Sequence, residues 1–409
     1  MHQSTSWALV VVLAALVLLA GCGGNHTDAE NIQDRSPRAS SGEQVHPMPE
    51  RLPHAEVSPV SVSDAAPCNL TSVPASVERL QAHVEGNDAM ADARRIPIDV
   101  PGGSDVEVAS LNENLVLLLI TLPRISELWS YHIPTERAER VATRGQGPGE
   151  LMFPTDLAVR GSEVYVSMGT MRIATFTCEG ASCTHREDIR TQFQPTQIEV
   201  SGDRFATTGQ LPLRGETEID ALDGAIHYVN PTGTLVESFG EPYQTDVWMV
   251  SAHFARYKQL ASLTDGSHVV HYHTFPRVYA YGADQPLRQV IEIDDFLQPT
   301  FVYEDGRRSV LREDNYSRIK QLNALTEGTA FLTVATVRMD RPSEAMETGN
   351  EIRYLYDYYL MGATSGCASH LGHEDVAAEY GVNDRIRWVP TEHHLLRIGE
   401  GSVHLIDRD

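Results

Sequence analysis

An all-β fold of repeated four-stranded units is what this sequence predicts, and three observations predict it. From about residue 94 onward, short apolar or alternating runs rich in Val, Ile, Leu, Thr and Tyr recur between Gly, Asn and Asp turns, the pattern of short strands. Six places read as an apolar strand, a tight polar turn and a second apolar strand. Their turns are Asn112-Glu113, Gly161-Ser162, Gly202-Asp203, Asp265-Gly266, Glu327-Gly328 and Glu400-Gly401. Further hairpins follow several of these, notably AIHYVNPTGTLVESFG at 225–240 and RVYAYGADQPLRQVIEI at 277–293. A four-stranded antiparallel sheet cannot bury both faces alone, whereas radial packing buries each face against a neighbour. This predicts a six-bladed β-propeller of four-stranded antiparallel blades, with a β-sandwich as the structural alternative.

The elements before the repeats are of other kinds. An apolar run from Ala8 to Leu18 leads into Leu19, Ala20, Gly21 and Cys22, and this LAGC tetrapeptide resembles a bacterial lipobox. The run from Trp7 to Ala20 falls short of the ~20 residues that cross a bilayer, so residues 1–21 read as a cleavable signal peptide. The resemblance implies a mature chain starting at Cys22, with acyl chains on its thiol and new amino terminus that hold it to the membrane. Gly23 is not the Asp associated with inner-membrane retention, so outer-membrane residence at the cell envelope is expected. An ordinary secretory peptide, with Cys22 present by chance, would export the chain equally. Residues 22–67 are rich in Ser, Pro, Glu, Asp, Asn and His without apolar periodicity, which predicts a disordered stalk. A chain of about 44 such residues reaches ~35 to 40 Å. Residues 68–93 form a lead-in of no assigned type, and 94–409 the β-propeller domain.

Within that domain, Pro154-Thr155-Asp156-Leu157, Pro195-Thr196-Gln197-Ile198 and Pro299-Thr300-Phe301-Val302 each open an apolar strand, and Pro242 precedes TDVWMV in a similar setting. These read as equivalent strand starts. The stretch RGQGPGELMFPTDLAV, Arg144 to Val159, resembles the blade junction of bacterial six-bladed β-propeller lipoproteins of the NHL/TolB-like superfamily. In it Gly145, Gly147 and Gly149 permit tight turns and Pro148 stiffens the junction before Leu157 and Val159 begin the inner strand. RIPIDV, Arg95 to Val100, is placed to supply the outer strand of the last blade. Alternatively, Val376 to Asp409 holds four short strands of its own. Asp314 to Thr326 carries Ile319, Leu322 and Leu325 at helical spacing and reads as a short helical insertion.

Composition narrows the partners. The chain has 32 basic and 56 acidic residues, a net charge of -24, with Lys only at Lys258 and Lys320. Such a surface repels phosphate backbones, which excludes nucleic acid as an expected partner. Apart from Cys22, four cysteines remain, an even set suited to an oxidising compartment. Cys178 and Cys183 flank a turn between strand-like segments and are expected to pair across a hairpin, leaving Cys68 to bridge to Cys367. A lone C-x4-C is a poor zinc signature.

Candidate chemistry is sparse. Propeller ligands sit at the channel mouth near the inner-strand starts, and the aligned positions are Asp156, Gln197 and Asp246. Converging carboxylates there would hold calcium. His268, His271 and His273 lie in SHVVHYH, where His271 and His273 share one strand face and are weak metal candidates, as are His370 and His373 in HLGHE. Packed imidazoles explain all of these more simply. Tyr354, Tyr356 and Tyr358 alternate in RYLYDYYL, suited to an aromatic ligand surface if exposed and to blade packing if buried. No nucleophile-elbow, P-loop, Rossmann or kinase motif is present, so no catalytic or cofactor residue is assigned. The expected function is a lipid-anchored propeller that binds a protein, peptide or glycan ligand without catalysis. The alternative is a metal-dependent, lactonase-like hydrolase or a lyase at the channel mouth.

Overall fold

The second strand of the first unit, Leu115–Leu122, reads LVLLLITL and is buried on both faces for its first six residues. In the outer strand of the second unit, Ser182–Arg190, every residue but Ile189 is exposed or half-covered. That contrast is the signature of a radial fold: strands in the middle of a blade are sandwiched between two neighbours, and strands at the rim meet water. The computed structural model describes residues 53–406 and the strand Gln44–Val45. Within 53–406 the exceptions are 71–72, 87–89, 91–92, 103, 211–223, 244–257, 273–274, 299, 305–306, 312–314, 326–327, 339–350, 380–386 and 400.

Six antiparallel sheets make the ring. Blade 1 contains Asp105–Asn112, Leu115–Leu122, Ile125–His132 and Arg137–Thr143, in order from inner to outer strand. Blade 2 contains Pro154–Arg160, Glu163–Met168, Arg172–Glu179 and Ser182–Arg190. Blade 3 contains Gln194–Ser201, Arg204–Gln210, Ile226–Val229 and Leu235–Phe239. Blade 4 contains Lys258–Ser262, His268–Tyr272, Arg277–Tyr281 and Leu287–Glu292. Blade 5 contains Asn315–Ala324, Thr329–Arg338, Glu351–Gly362 and Ala368–Glu379. Blade 6 takes Arg387–Pro390, Leu395–Gly399 and Ser402–Ile406 from the C-terminal end, and its outer strand is Ala93–Arg95.

Closure of the ring is visible in the core. Six apolar clusters each draw on two consecutive blades, and one of them joins blade 6 to blade 1 through Val389, Ile398 and Leu405 against Val106, Leu118 and Ile120. Tyr354, Tyr356 and Tyr358 fill the interface of blades 5 and 6 with Trp388, so their alternation serves packing. The closing strand sits two residues before the expected RIPIDV. Ala93–Arg95 pairs with Ser402–Ile406, and Ile96 extends the pairing through its N–H to the Val403 carbonyl at 2.8 Å. Ile96, Ile98 and Val100 then turn inward as core, which is why this apolar segment ends as packing rather than as strand.

The expected stalk is shorter at its C-terminal end. Val60–Ser61 pairs in parallel with Ile291-Glu292 as a fifth strand of blade 4, and Val62 enters the core between blades 4 and 5. From there the lead follows the ring outward of blades 5 and 6. Cys68 is bonded to Cys367, at the third-to-outer turn of blade 5. The helix Ala75–Val84 buries Val77 and Leu80 against both blades, with His83 on the Trp388 ring at 4.6 Å between centroids. Gly372, with φ of +134°, lies under this helix, where a Cβ would stand 2.6 Å from a Val84 methyl. The segment's polar composition concealed a few apolar contacts that its own sequence could not satisfy.

Two further expectations change. Asp314 to Thr326 is not helical: Asn315–Ala324 is the inner strand of blade 5. Its register skips Lys320 in a bulge, so Ile319 and Leu322 face the same core three residues apart, mimicking helical spacing. Pro299-Thr300 opens an inserted hairpin, Thr300–Glu304 with Arg307–Leu311, rather than an inner strand. The turns at 112, 161, 202, 265 and 328 do join first to second strands, whereas the turn at Gly401 joins the second and third strands of blade 6.

Candidate functional sites in the channel and between blades 4 and 5

Asp156 and Gln197 occupy equivalent places. In both inner strands the Thr of Pro-Thr is skipped by the register, and its hydroxyl turns to the second strand, Thr155 to Ser167 Oγ at 2.9 Å and Thr196 to Thr208 Oγ1 at 3.0 Å. The bulge sets the phase of the residue that follows. Asp156 uses it to reach the next blade, its Oδ2 accepting the Ile198 N–H at 2.7 Å.

The same device recurs round the inner strands. Glu199 of blade 3 faces the Ser262 backbone of blade 4, which opposes the effect of its burial. Gln259 of blade 4 donates to the Lys320 carbonyl of blade 5 at 3.1 Å. Arg387 of blade 6 donates to the Val106 carbonyl of blade 1 and lies 3.6 Å from Glu107. Glu107, Asp156 and Glu199 thus form an acidic arc on blades 1 to 3, closed at one end by the Arg387 guanidinium. Burial pushes the Asp156 carboxyl well above the usual range and Glu107 pushes it further; burial and then Asp156 do the same to Glu199. Glu107 is raised by burial, with Arg387 opposing.

Glu107 and Glu199 escaped the sequence analysis. The signal was present: Val106-Glu107-Val108 and Ile198-Glu199-Val200 each set one carboxylate between residues that pack in the core or against it. Asp246 and His273, like Cys22, lie outside the described residues. Among the described residues, Glu107, Asp156 and Glu199 do not form a group of three at ligand spacing. One group of three His, Cys, Asp or Glu side chains among the described residues does lie at that spacing, and it comprises His54, Glu56 and Glu241.

Two of the histidines named above are packed in the core. His271 is fully buried with Nε2 donating to the Phe275 carbonyl at 2.7 Å. His268 is held between Tyr228 Oη, 2.6 Å from Nε2, and Ser262 Oγ, 2.8 Å from Nδ1, and burial lowers its pKa to about 4. His370 instead pairs with Asp357 at 3.0 Å in a cleft.

That cleft, of about 850 Å³, lies between blades 4 and 5 and is roofed on one side by the lead. Val62, Ala65, Phe296, Leu297 and Val334 give it apolar walls. Asp294, which follows the outer strand of blade 4, accepts the Ser63 N–H at 2.8 Å and the Ser61 hydroxyl, so the lead fixes this carboxylate. Asp295 takes a left-handed φ of 55°. Asp357 comes from the third strand of blade 5, two residues before Tyr359. All three carboxylates act on the Tyr359 phenol: burial raises its pKa first, then Asp357, Asp294 and Asp295. The cleft therefore combines apolar walls, a phenol and three carboxylates, with His370 the one basic group among its lining residues. Nothing in the sequence joined these residues, because they come together from the lead and two blades.

No family model and no curated protein matches the sequence. Among solved structures, it is similar to a predicted exported protein of Bacteroides fragilis at 10% identity and a TM-score of 0.47, over 78% of this chain and 96% of that one. It is similar to a member of the DUF4221 family from Bacteroides vulgatus at 7% identity and a TM-score of 0.46, over 77% and 95%. A streptogramin B lyase aligns at 9% identity and a TM-score of 0.37, over 76% and 96%. The propeller fold of this chain rests on its own sheet order.

Proposed function

We propose that the protein is an exported, lipid-anchored propeller of the NHL/TolB-like kind that binds a basic peptide or protein segment at the cell envelope, without catalysis. The observation that carries this reading is that Asp294, Asp295 and Asp357 line one partly apolar cleft with Tyr359 between blades 4 and 5. A Lys or Arg side chain suits such a place, its methylenes on the apolar wall and its charged head among carboxylates. The overall charge of -24 would draw a cationic partner in at long range. Two disulfides support residence in an oxidising compartment, and the lipobox-like LAGC supports attachment through Cys22. The channel-enzyme reading has less support, since Asp156 is spent on the Ile198 N–H of the next blade.

The test is fluorescence anisotropy of labelled Arg-rich and Glu-rich peptides of equal length against the full chain in detergent. The basic peptide should bind preferentially and salt should weaken it. Asp295→Asn with Asp357→Asn should reduce affinity about tenfold, the effect of losing roughly 1.4 kcal/mol of charge pairing. Equal binding of both peptides, or no change in the double variant, would sink the proposal.

A further inference from the structure

His54, Glu56 and Glu241 stand apart from both sites above. His54 and Glu56 belong to the lead and Glu241 to the segment after the outer strand of blade 3. His54 Nδ1 lies 3.6 Å from Glu241 Oε2 and 3.8 Å from Glu56 Oε1, and all three donor atoms fall within 4.8 Å of one another. These separations are too long for hydrogen bonds. They are close to what a shared ion needs, since donors bonded at 2.0 to 2.1 Å in tetrahedral geometry stand about 3.4 Å apart.

The other ring nitrogen is already engaged. Nε2 lies 3.1 Å from Tyr281 Oη and 3.3 Å from the Glu241 N–H. Because Nε2 accepts the Glu241 N–H, the neutral ring carries its proton on Nδ1, facing the two carboxylate oxygens; a cation takes that place once the proton moves to Nε2, where Tyr281 Oη stands ready to accept it. A ligating histidine usually has its second nitrogen fixed in this way. The backbone fits the same purpose. His54 has a left-handed φ of 52°, its N–H bonds Glu241 Oε2 at 2.6 Å, and its carbonyl accepts the Val57 N–H at 2.9 Å, a turn that carries Glu56 back beside the ring. The His54 side chain is 17% exposed and those of Glu241 and Glu56 are 34% and 65% exposed, so an ion could enter and keep water in its fourth position.

We infer that His54, Glu56 and Glu241 form a zinc-class divalent cation site that clips the lead to the junction of blades 3 and 4. One imidazole with two carboxylates is a borderline donor set that suits zinc better than calcium. Binding moves the ring proton from Nδ1 to Nε2, exchanging the Glu241 N–H contact for a bond to Tyr281 Oη.

The test is isothermal titration of the untagged full chain with zinc chloride, beside His54→Ala and Glu56→Gln. Glu56→Gln is the discriminating variant, because it removes one ligand and leaves the His54 hydrogen bonds that dock the lead. The wild type should bind one zinc ion, and each variant should weaken it about tenfold or more. Zinc should also slow proteolysis near residue 54 in the wild type and not in Glu56→Gln. Two results would overturn the inference: no zinc uptake by the wild type, or equal uptake in all three chains, which would assign the metal to histidines elsewhere.

Discussion

Blades 2 and 5 are both four-stranded antiparallel sheets, and in each a disulfide reaches the hairpin between third and outer strands. In blade 2, Cys178 and Cys183 face each other across that hairpin, so the blade is closed by its own residues. In blade 5, Cys367 reaches out to Cys68, 299 positions earlier, and the lead and its helix cover the blade from outside. The strands differ to match: 7, 6, 8 and 9 residues in blade 2, but 10, 10, 12 and 12 in blade 5. Longer strands project apolar surface beyond the neighbouring blades, and the lead supplies what covers it. A compact blade is thus stable by local means, and an enlarged one depends on a distant segment.

The sharpest way to break this contrast is to remove the long disulfide. Cys68→Ser with Cys367→Ser frees a loop for which the chain-entropy model gives an upper value of about 5 to 6 kcal/mol. The expected outcome is a lower melting temperature and early protease cleavage between residues 53 and 84, read by mass spectrometry of the fragments. Cys178→Ser with Cys183→Ser should cost less, about 2 kcal/mol in the same model, and should leave the lead protected. Equal losses in the two variants would show that the lead does not depend on its covalent tie.

The smallest effect separates the acidic arc from the rest. Asp156 and Glu199 hold protons more tightly folded than unfolded, so their contribution to stability falls as pH rises from the ordinary carboxylate range through their raised values. Lys258 has the opposite sign. Burial lowers its pKa to about 7, so its contribution rises with pH only above that point. In thermal melts from about pH 5 to 7 the buried His268 and His227, both lowered by burial, also add stability as pH rises, so the carboxylates are read from the difference between wild type and variant. Asp156→Asn with Glu199→Gln should make the pH slope of stability more positive than in the wild type while keeping an amide oxygen at each position. An unchanged slope would place the proton uptake elsewhere.

What could be read beforehand follows the same division. The repeat at Pro154 and Pro195 was legible because neighbouring blades of ordinary length reuse one bulge and one hydroxyl contact. Both cysteine pairings were legible, one from a turn and one by elimination. Pro299 misled because an inserted hairpin copies the local signal of a strand start. Ile319 and Leu322 misled because a bulge at Lys320 converts strand alternation into a spacing of three. Asp156 was named, but its partners Glu107 and Glu199 required the ring to be closed, and the carboxylates around Tyr359 required the lead to be in place. Local chemistry was readable wherever its partners were local.

The route of the lead also sets an order on the protein's making. Its residues leave the ribosome before any blade exists, yet Val60 waits for Ile291, Cys68 for Cys367 and Ala93 for Ile406. Contacts of this sequence separation form late. Throughout that interval Cys68 is an unpaired thiol in a chain that also carries Cys178 and Cys183. The short hairpin takes both thiols out of competition when it is oxidised, and burial of Cys178 limits attack of the Cys68 thiolate on the resulting disulfide. Blade 2 thereby protects the fidelity of a bond in which it takes no part, and the last strand to join the ring is one of the first to be synthesised.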